Sequence, residues 1–291
     1  MTKFLTGAQM YSVRTLTQSA ESLYEALKAV KAMGYNAVQL SGQSADIPME
    51  RIADMLAELR LDCGATHQSF QELEENLDAV IRRHKLWKCD YPGVGSMPFR
   101  YGGSAEGIRE FARKANAIAE KLLNNGLHFI YHTHAFEFAR FGGVTGMDIL
   151  MDEFSPAVQF ELDVYWVQAG GGEPVEWVRK VGGRMDVVHF KEMAGRLPDE
   201  KDHSMTKMAP VGEGNLNWPA IMAACDGIGV KYAFVEQDNA VDSDPLGCMR
   251  TSHDNLVRLG ARRCILWCTI SPGIPRIPLF VHLSQKHTFL R

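Results

Sequence analysis

The chain alternates, eight times over, between a short apolar run of strand length and an amphipathic run of helix length. Strand-like segments fall at Phe4–Val13, Asn36–Ser41, Leu61–Thr66, Tyr91–Ser96, Leu127–His134, Val158–Val164, Met185–Lys191 and Tyr232–Gln237. Helix signals separate them. Ser19 offers an N-cap to a run with Leu23, Ala26, Leu27 and Val30 on one face, and Gly34 closes it. Pro48 opens the next, with Ile52, Met55, Leu56 and Leu59 in phase. Gln71–Leu86, Ser104 to Asn124, Thr145–Phe154, a run from Pro174, Trp218–Asp226 and Pro245–Leu259 complete the series. Helix-length gaps are what parallel neighbours require, because their connection must cross over the sheet. Eight such units favour closure into a barrel over an open doubly wound sheet. The expectation is one α/β domain, a (β/α)8 barrel over residues 1–260, with Tyr91–Ser96 its weakest strand.

The 291 residues suit that reading, since one such barrel takes about 250. With 46% hydrophobic residues the chain can bury a large core without disulfides or a structural metal. A net charge of −4 without a long basic run argues against a nucleic-acid partner. The opening stretch reads as a first strand rather than a signal peptide, and no apolar run spans a bilayer, so no membrane partner is expected. Six cysteines lie scattered without a CxxC, which suits reduced thiols and a cytoplasmic location. The stretch Glu192–Asn215 is read as a loop over the active face. Ala261–Arg291, with three prolines, five Lys/Arg and no acid, is read as a C-terminal tail outside the barrel.

Polar residues at the carboxyl ends of barrel strands are the candidates for chemistry, because strand interiors should be apolar. The late strands run into His132-Thr-His134-Ala-Phe-Glu137, Glu161-Leu-Asp163, His189-Phe-Lys191-Glu192 and Glu236-Gln237-Asp238. Glu137, Asp163 and His189 stand 26 positions apart, one βα unit each. In a set of two glutamates, an aspartate and a neutral histidine, the carboxylates would repel one another and resist desolvation unless a divalent cation joined them. Oxygen-rich ligation with one imidazole suits manganese, magnesium or cobalt, with zinc a further option.

Six stretches carry a resemblance. GAQMYSVR near the start, YHTHAFEF (Tyr131–Phe138), FELDVYW (Phe160–Trp166), VVHFKE (Val187–Glu192), VGEGNLNW (Val211–Trp218) and FVEQDN (Phe234–Asn239) resemble the sugar phosphate isomerase/epimerase-like family. These are xylose-isomerase-like TIM barrels that also include inosose dehydratases and endonuclease-IV-type enzymes. The resemblance implies a divalent metal, Mn2+ foremost, on Glu137, Asp163, His189 and Glu236, with Glu137 and Glu236 also moving protons beside a carbonyl. In strand five, however, His132 and His134 share a face and Glu137 has the opposite parity. Some relatives carry their glutamate earlier in this strand, which would give His132 that place. Lys191, on the His189 face, is expected to steady a developing oxyanion, or else to pair with Glu192 or Glu161. His67, His132, His134, Gln39 and Trp166 are expected to meet substrate. Gln39 departs from the family, which often has an acid there, and neither the tail nor the extra ligands of three-zinc endonucleases has a counterpart.

The reaction expected is isomerisation or epimerisation of a sugar, keto-sugar or cyclitol through an enediolate. Dehydration of a keto-cyclitol or keto-sugar is the near alternative. A metal-dependent hydrolase, suggested by His132-x-His134, and a non-catalytic carbohydrate-binding barrel are the distant ones. The sequence allows a homo-oligomer and does not specify one.

Overall fold

The structure, a computed structural model, describes residues 2–197 and 204–261. Eight parallel strands close into a barrel: β1 (Leu5–Gln9), β2 (Ala37–Leu40), β3 (Asp62–Gln68), β4 (Pro92–Val94), β5 (Phe129–His132), β6 (Val158–Asp163), β7 (Val187–Phe190) and β8 (Tyr232–Val235). Each pairs with its sequence neighbours, and β8 closes on β1 through Leu5↔Tyr232 to Ala8↔Val235. β4 spans three residues yet pairs on both sides, so the weakest strand of the sequence pattern completes the ring.

Two apolar layers hold the barrel. Ala37, Ala65, Tyr91, Ile130, Val187 and Phe234 fill its interior. Gly7 leaves room for the Phe234 ring, since a Cβ there would lie 2.4 Å from it. The larger layer lies between strands and helices, where Tyr131 meets Phe111 and Phe154 with ring centroids 5.3 and 5.5 Å apart. Buried aromatics of this kind each contribute about 2–3 kcal/mol. Successive side chains on a strand therefore face different media: Ile130 and His132 the barrel axis, Tyr131 the helices.

Several boundaries differ from the sequence pattern. The first strand stops at Gln9, whose side chain accepts a hydrogen bond from Tyr11 N and turns Met10–Leu16 into a 3-10 segment. The sixth stops at Asp163, which caps an additional helix, Val164–Ala169, before the one at Pro174–Lys180. Gln71–Leu86 is two helices, Phe70–Glu75 and Leu77–Trp87, parted at Asn76. Within Glu192–Asn215, Glu192–Gly195 and Thr206–Ala209 pair as an antiparallel ribbon. Beyond Ala261 the tail lies outside the described residues. No described helix is long and apolar enough to cross a membrane.

Candidate metal centre and cleft

The period of two along each strand decides which side chains meet at the carboxyl end of the barrel. β6 sends Glu161 and Asp163 inward, β7 His189 with Lys191 just beyond it, β5 His132, and β8 points Phe234 inward with Glu236 one step above. One nitrogen or oxygen from each of His132, Asp163, His189 and Glu236 lies within 4.8 Å of the others, and all four side chains are buried. Asp163 divides its work. Oδ1 accepts from Tyr165 N and Trp166 N at the start of the capped helix, which fixes the carboxylate and turns Oδ2 to the cluster.

His132 is the telling residue. Its Nδ1 lies 2.9 Å from Gly95 O, so that nitrogen carries the proton and Nε2 keeps a lone pair. The Nε2 atom is buried without a hydrogen-bond partner and faces Asp163 Oδ2 at 3.4 Å and Glu236 Oε2 at 3.9 Å. A lone pair facing two carboxylate oxygens is repulsive unless a cation stands beside them; the Lys191 ammonium reaches both oxygens, and the Nε2 atom itself is left for a metal ion. His189 shows the same division: Nδ1 is 2.9 Å from Glu236 Oε2, while Nε2 is braced by Gln39 Oε1 at 2.6 Å and Glu161 Oε1 at 3.1 Å. An imidazole whose far nitrogen is held by a carboxylate or amide is the usual arrangement of a metal-binding histidine. The donor set therefore fits a divalent cation.

Glu137 is where the sequence expectation fails. β5 ends at His132, and Glu137 sits in a 3-10 turn, Phe136–Phe138, on the parity of the outward-facing Tyr131. Its carboxyl accepts from Tyr131 Oη at 2.5 Å and His134 N at 2.9 Å, behind the sheet, and it is not in the four-residue cluster. Burial pushes it up to about 8, against those hydrogen bonds. On β5 it is His132 that stands in the cluster able to hold a metal ion. The correction changes the chemistry: two imidazoles and two carboxylates replace one imidazole and three carboxylates, a softer set of lower charge.

Lys191 is buried and reaches Asp163 Oδ2 at 2.9 Å, Glu236 Oε2 at 2.8 Å and Asp238 Oδ2 at 3.1 Å. It pairs with neither Glu192 nor Glu161. Burial disfavours its charge, but Asp163, Glu236 and Asp238 outweigh burial and hold it well above the ordinary lysine range. In the same way burial opposes ionisation of Glu236, while Lys191 and His189 keep it well below the carboxylate range. His189 is raised to about 10 because Glu161 and Glu236 overcome its burial. His134, half-buried against Trp166 with ring centroids 5.4 Å apart, is lowered to about 3 by burial and then by His132.

Above the cluster opens a cleft of about 560 Å³, on whose wall stand His67, His132, His134, Lys191, Glu236 and Asp238. Trp166 adjoins it, its ring 5.2 Å from the Lys191 ammonium. Gln39 does not line it. Fully buried beneath, Gln39 donates to Glu161 Oε1 at 2.8 Å and braces His189, so the expected substrate contact is a support instead. Glu192 is turned to the loop: it accepts from Met193 N, Gly212 N, Leu216 N and the Trp218 indole, which makes the Gly212–Gly214 turn a matter of loop geometry. Sequence reasoning passed over Glu161 and Asp238 as site residues. The signal was available, since each lies two positions from a chosen ligand and so on its face.

A sequence profile of xylose isomerase-like TIM barrels matches residues 27–247. The chain belongs to that family. No curated protein matches it in sequence. Among solved structures, this xylose isomerase-like barrel is similar to a sugar phosphate isomerase/epimerase from Parabacteroides distasonis ATCC 8503, with a TM-score of 0.71 and 22% identity, over 87% of this chain and 98% of that one. It is similar to the probable 3-DHS dehydratase AsbF from Bacillus anthracis (TM-score 0.67, 14% identity, 87% and 99% covered). D-allulose 3-epimerase from Methylomonas sp. superposes with a TM-score of 0.64 at 14% identity, over 89% of this barrel and 99% of that chain. At these identities the superpositions establish the fold. The reaction has to be argued from the site.

Proposed function

We propose that the protein is a divalent-metal-dependent isomerase or epimerase acting on a keto-sugar, sugar or cyclitol, by moving a proton at the carbon beside a carbonyl. One observation carries the reading: His132 Nε2, Asp163 Oδ2, His189 Nδ1 and Glu236 Oε2 converge on one point at the floor of a sugar-sized cleft. Two imidazoles and two carboxylates favour Mn2+, Co2+ or Zn2+ over Mg2+, with Mn2+ the first choice for oxygen-binding substrates. When bound, the cation would polarise a substrate carbonyl.

The chain's own residues supply the rest. Glu236 is an ionised carboxylate at the floor of the cleft, placed to take the α-proton and return it to the neighbouring carbon. Lys191, held against Asp163, Glu236 and Asp238 on the cleft wall, serves as a fixed positive charge for the developing oxyanion. His134 faces the cleft beside Trp166 and would contact a hydroxyl, and His67 stands on the cleft wall next to His132, their ring centroids 5.3 Å apart. With Glu137 behind the sheet, the expected second proton-carrying glutamate is out of reach. A single carboxylate working on one face suits isomerisation. Epimerisation would need a partner on the other face, and Asp238 is the other carboxyl on the cleft wall. Dehydration is the second reading, favoured by the structural likeness to AsbF, because the same enediolate can expel a β-hydroxyl.

The test is solvent isotope exchange. Candidate keto-sugars incubated in deuterated water with Mn2+-loaded protein should acquire deuterium at the carbon beside the carbonyl, and Glu236→Gln should abolish the exchange. Substoichiometric metal by elemental analysis after Mn2+ loading, or turnover without label, would refute the proposal.

A further inference from the structure

The cleft wall carries two lysine or arginine side chains, Lys191 and Arg14, and they are differently employed. Lys191 is paired with three carboxylates of the floor. Arg14 makes no ion pair among the described residues. It is nonetheless held in place. Its Nη1 donates to two backbone carbonyls, Tyr11 O at 3.0 Å and Asp238 O at 3.1 Å, and its guanidinium lies 4.2 Å over the Tyr11 ring. Gly42, with φ +78°, packs so closely beneath this pair that a Cβ would meet Tyr11 at 2.9 Å and Arg14 at 3.2 Å. A long cationic side chain fixed by packing and by neutral acceptors leaves its remaining N–H groups free to face the cleft.

Charge distribution gives this placement a meaning. The floor holds the carboxylates of Asp163, Glu236, Glu161 and Asp238, with Lys191 against three of them, and the proposed cation lies among them. Asp238 joins the two ends, its carboxylate on Lys191 and its backbone carbonyl on Arg14. An anionic group on a substrate would be repelled by the carboxylates of the floor. At the rim it would meet a preorganised guanidinium, which matches phosphate and carboxylate oxygens in a planar fork.

We propose that the substrate bears a phosphate or carboxylate on the end opposite its reacting carbonyl, and that Arg14 receives it. This rests on the proposed function for the location of the reacting end. It adds a polarity to the cleft: anion at the Arg14 rim, carbonyl at the His132–Glu236 floor. Arg14 then acts as a specificity-determining residue that orients the substrate before proton transfer.

Glycerol 3-phosphate, D-glycerate and glycerol are the probes, titrated calorimetrically into the full-length protein with and without Mn2+. At least one anion should bind wild type about tenfold or more tightly than glycerol, the scale of one charge-assisted hydrogen bond. The preferred anion distinguishes a phosphate from a carboxylate substrate. In Arg14→Gln that preference should vanish, and Arg14→Lys should keep part of it. Equal affinities for the three probes in wild type, or an anion preference that survives in Arg14→Gln, would overturn the inference. Metal content is read separately: wild-type protein that takes up no Mn2+ yet shows the Arg14-dependent preference would sink the proposed function and leave the anion subsite standing.

Discussion

Glu137→Gln separates two roles that one residue cannot hold together. As a metal ligand, Glu137 would be ionised and its replacement would cost most of the metal affinity. As the structure has it, the carboxyl is buried behind the sheet against Tyr131 and His134, with its ionisation pushed up to about 8. The sign follows from linkage. A carboxyl raised in the folded state favours folding fully only below its unfolded value near 4.5, and that contribution is lost as pH rises through about 8. Each pH unit in this window costs about 1.4 kcal/mol, so between pH 5.5 and 7.5 wild type should lose roughly 3 kcal/mol relative to the glutamine variant. Urea unfolding of metal-free protein in chelator at the two pH values measures the difference directly. Mn2+ titration of the same variant should return an affinity within about threefold of wild type, because no ligand has changed. Parallel pH profiles for the two proteins would show that Glu137 ionises as freely folded as unfolded. A loss of Mn2+ affinity of a hundredfold would put Glu137 back on the cation and refute the geometry.

Two further substitutions probe the supports of the site. Gln39→Leu removes the amide that holds His189 Nε2 at 2.6 Å and should weaken Mn2+ binding by about tenfold in a chelator competition, with KM for an active sugar little changed at saturating metal. A rise in KM at unchanged metal affinity would return Gln39 to the substrate-contact role. Glu192→Ala strips the acceptor from Gly212 N, Leu216 N, Met193 N and the Trp218 indole, and should cost about 3 kcal/mol or more in urea unfolding, since several buried donors lose their partner at once. A cost below about 1 kcal/mol would mean that water replaces the carboxylate.

How much of this was legible beforehand depends on which physical rule governed each residue. The barrel was, because eight short apolar runs alternating with runs of period 3.6 reflect burial of strands on both faces and of helices on one. The convergence of Asp163, His189 and Glu236 was legible strand by strand, because they end strands whose inward parity runs through Glu161, Val187 and Phe234. Glu137 failed because analogy overrode parity. The sequence already placed His132 on the inward face and Glu137 off it, and the carboxyl went where parity sent it, to the outward-facing Tyr131 hydroxyl. Arg14 and Gln39 belong to another kind of miss. Nothing in the spacing near Gln9 announces a 3-10 turn that lays Arg14 over Tyr11, and no periodicity separates a glutamine that lines a cleft from one that props a histidine under it. Such roles depend on how deep in the barrel a layer lies, and depth is set by register between strands far apart in sequence: Gln9 beside Gln39, Glu161 beside His132, Asp163 beside His189. The inward face of each strand can be read one strand at a time; the level at which its side chains meet cannot, which is why the ligand set needed the closed barrel while its candidates did not.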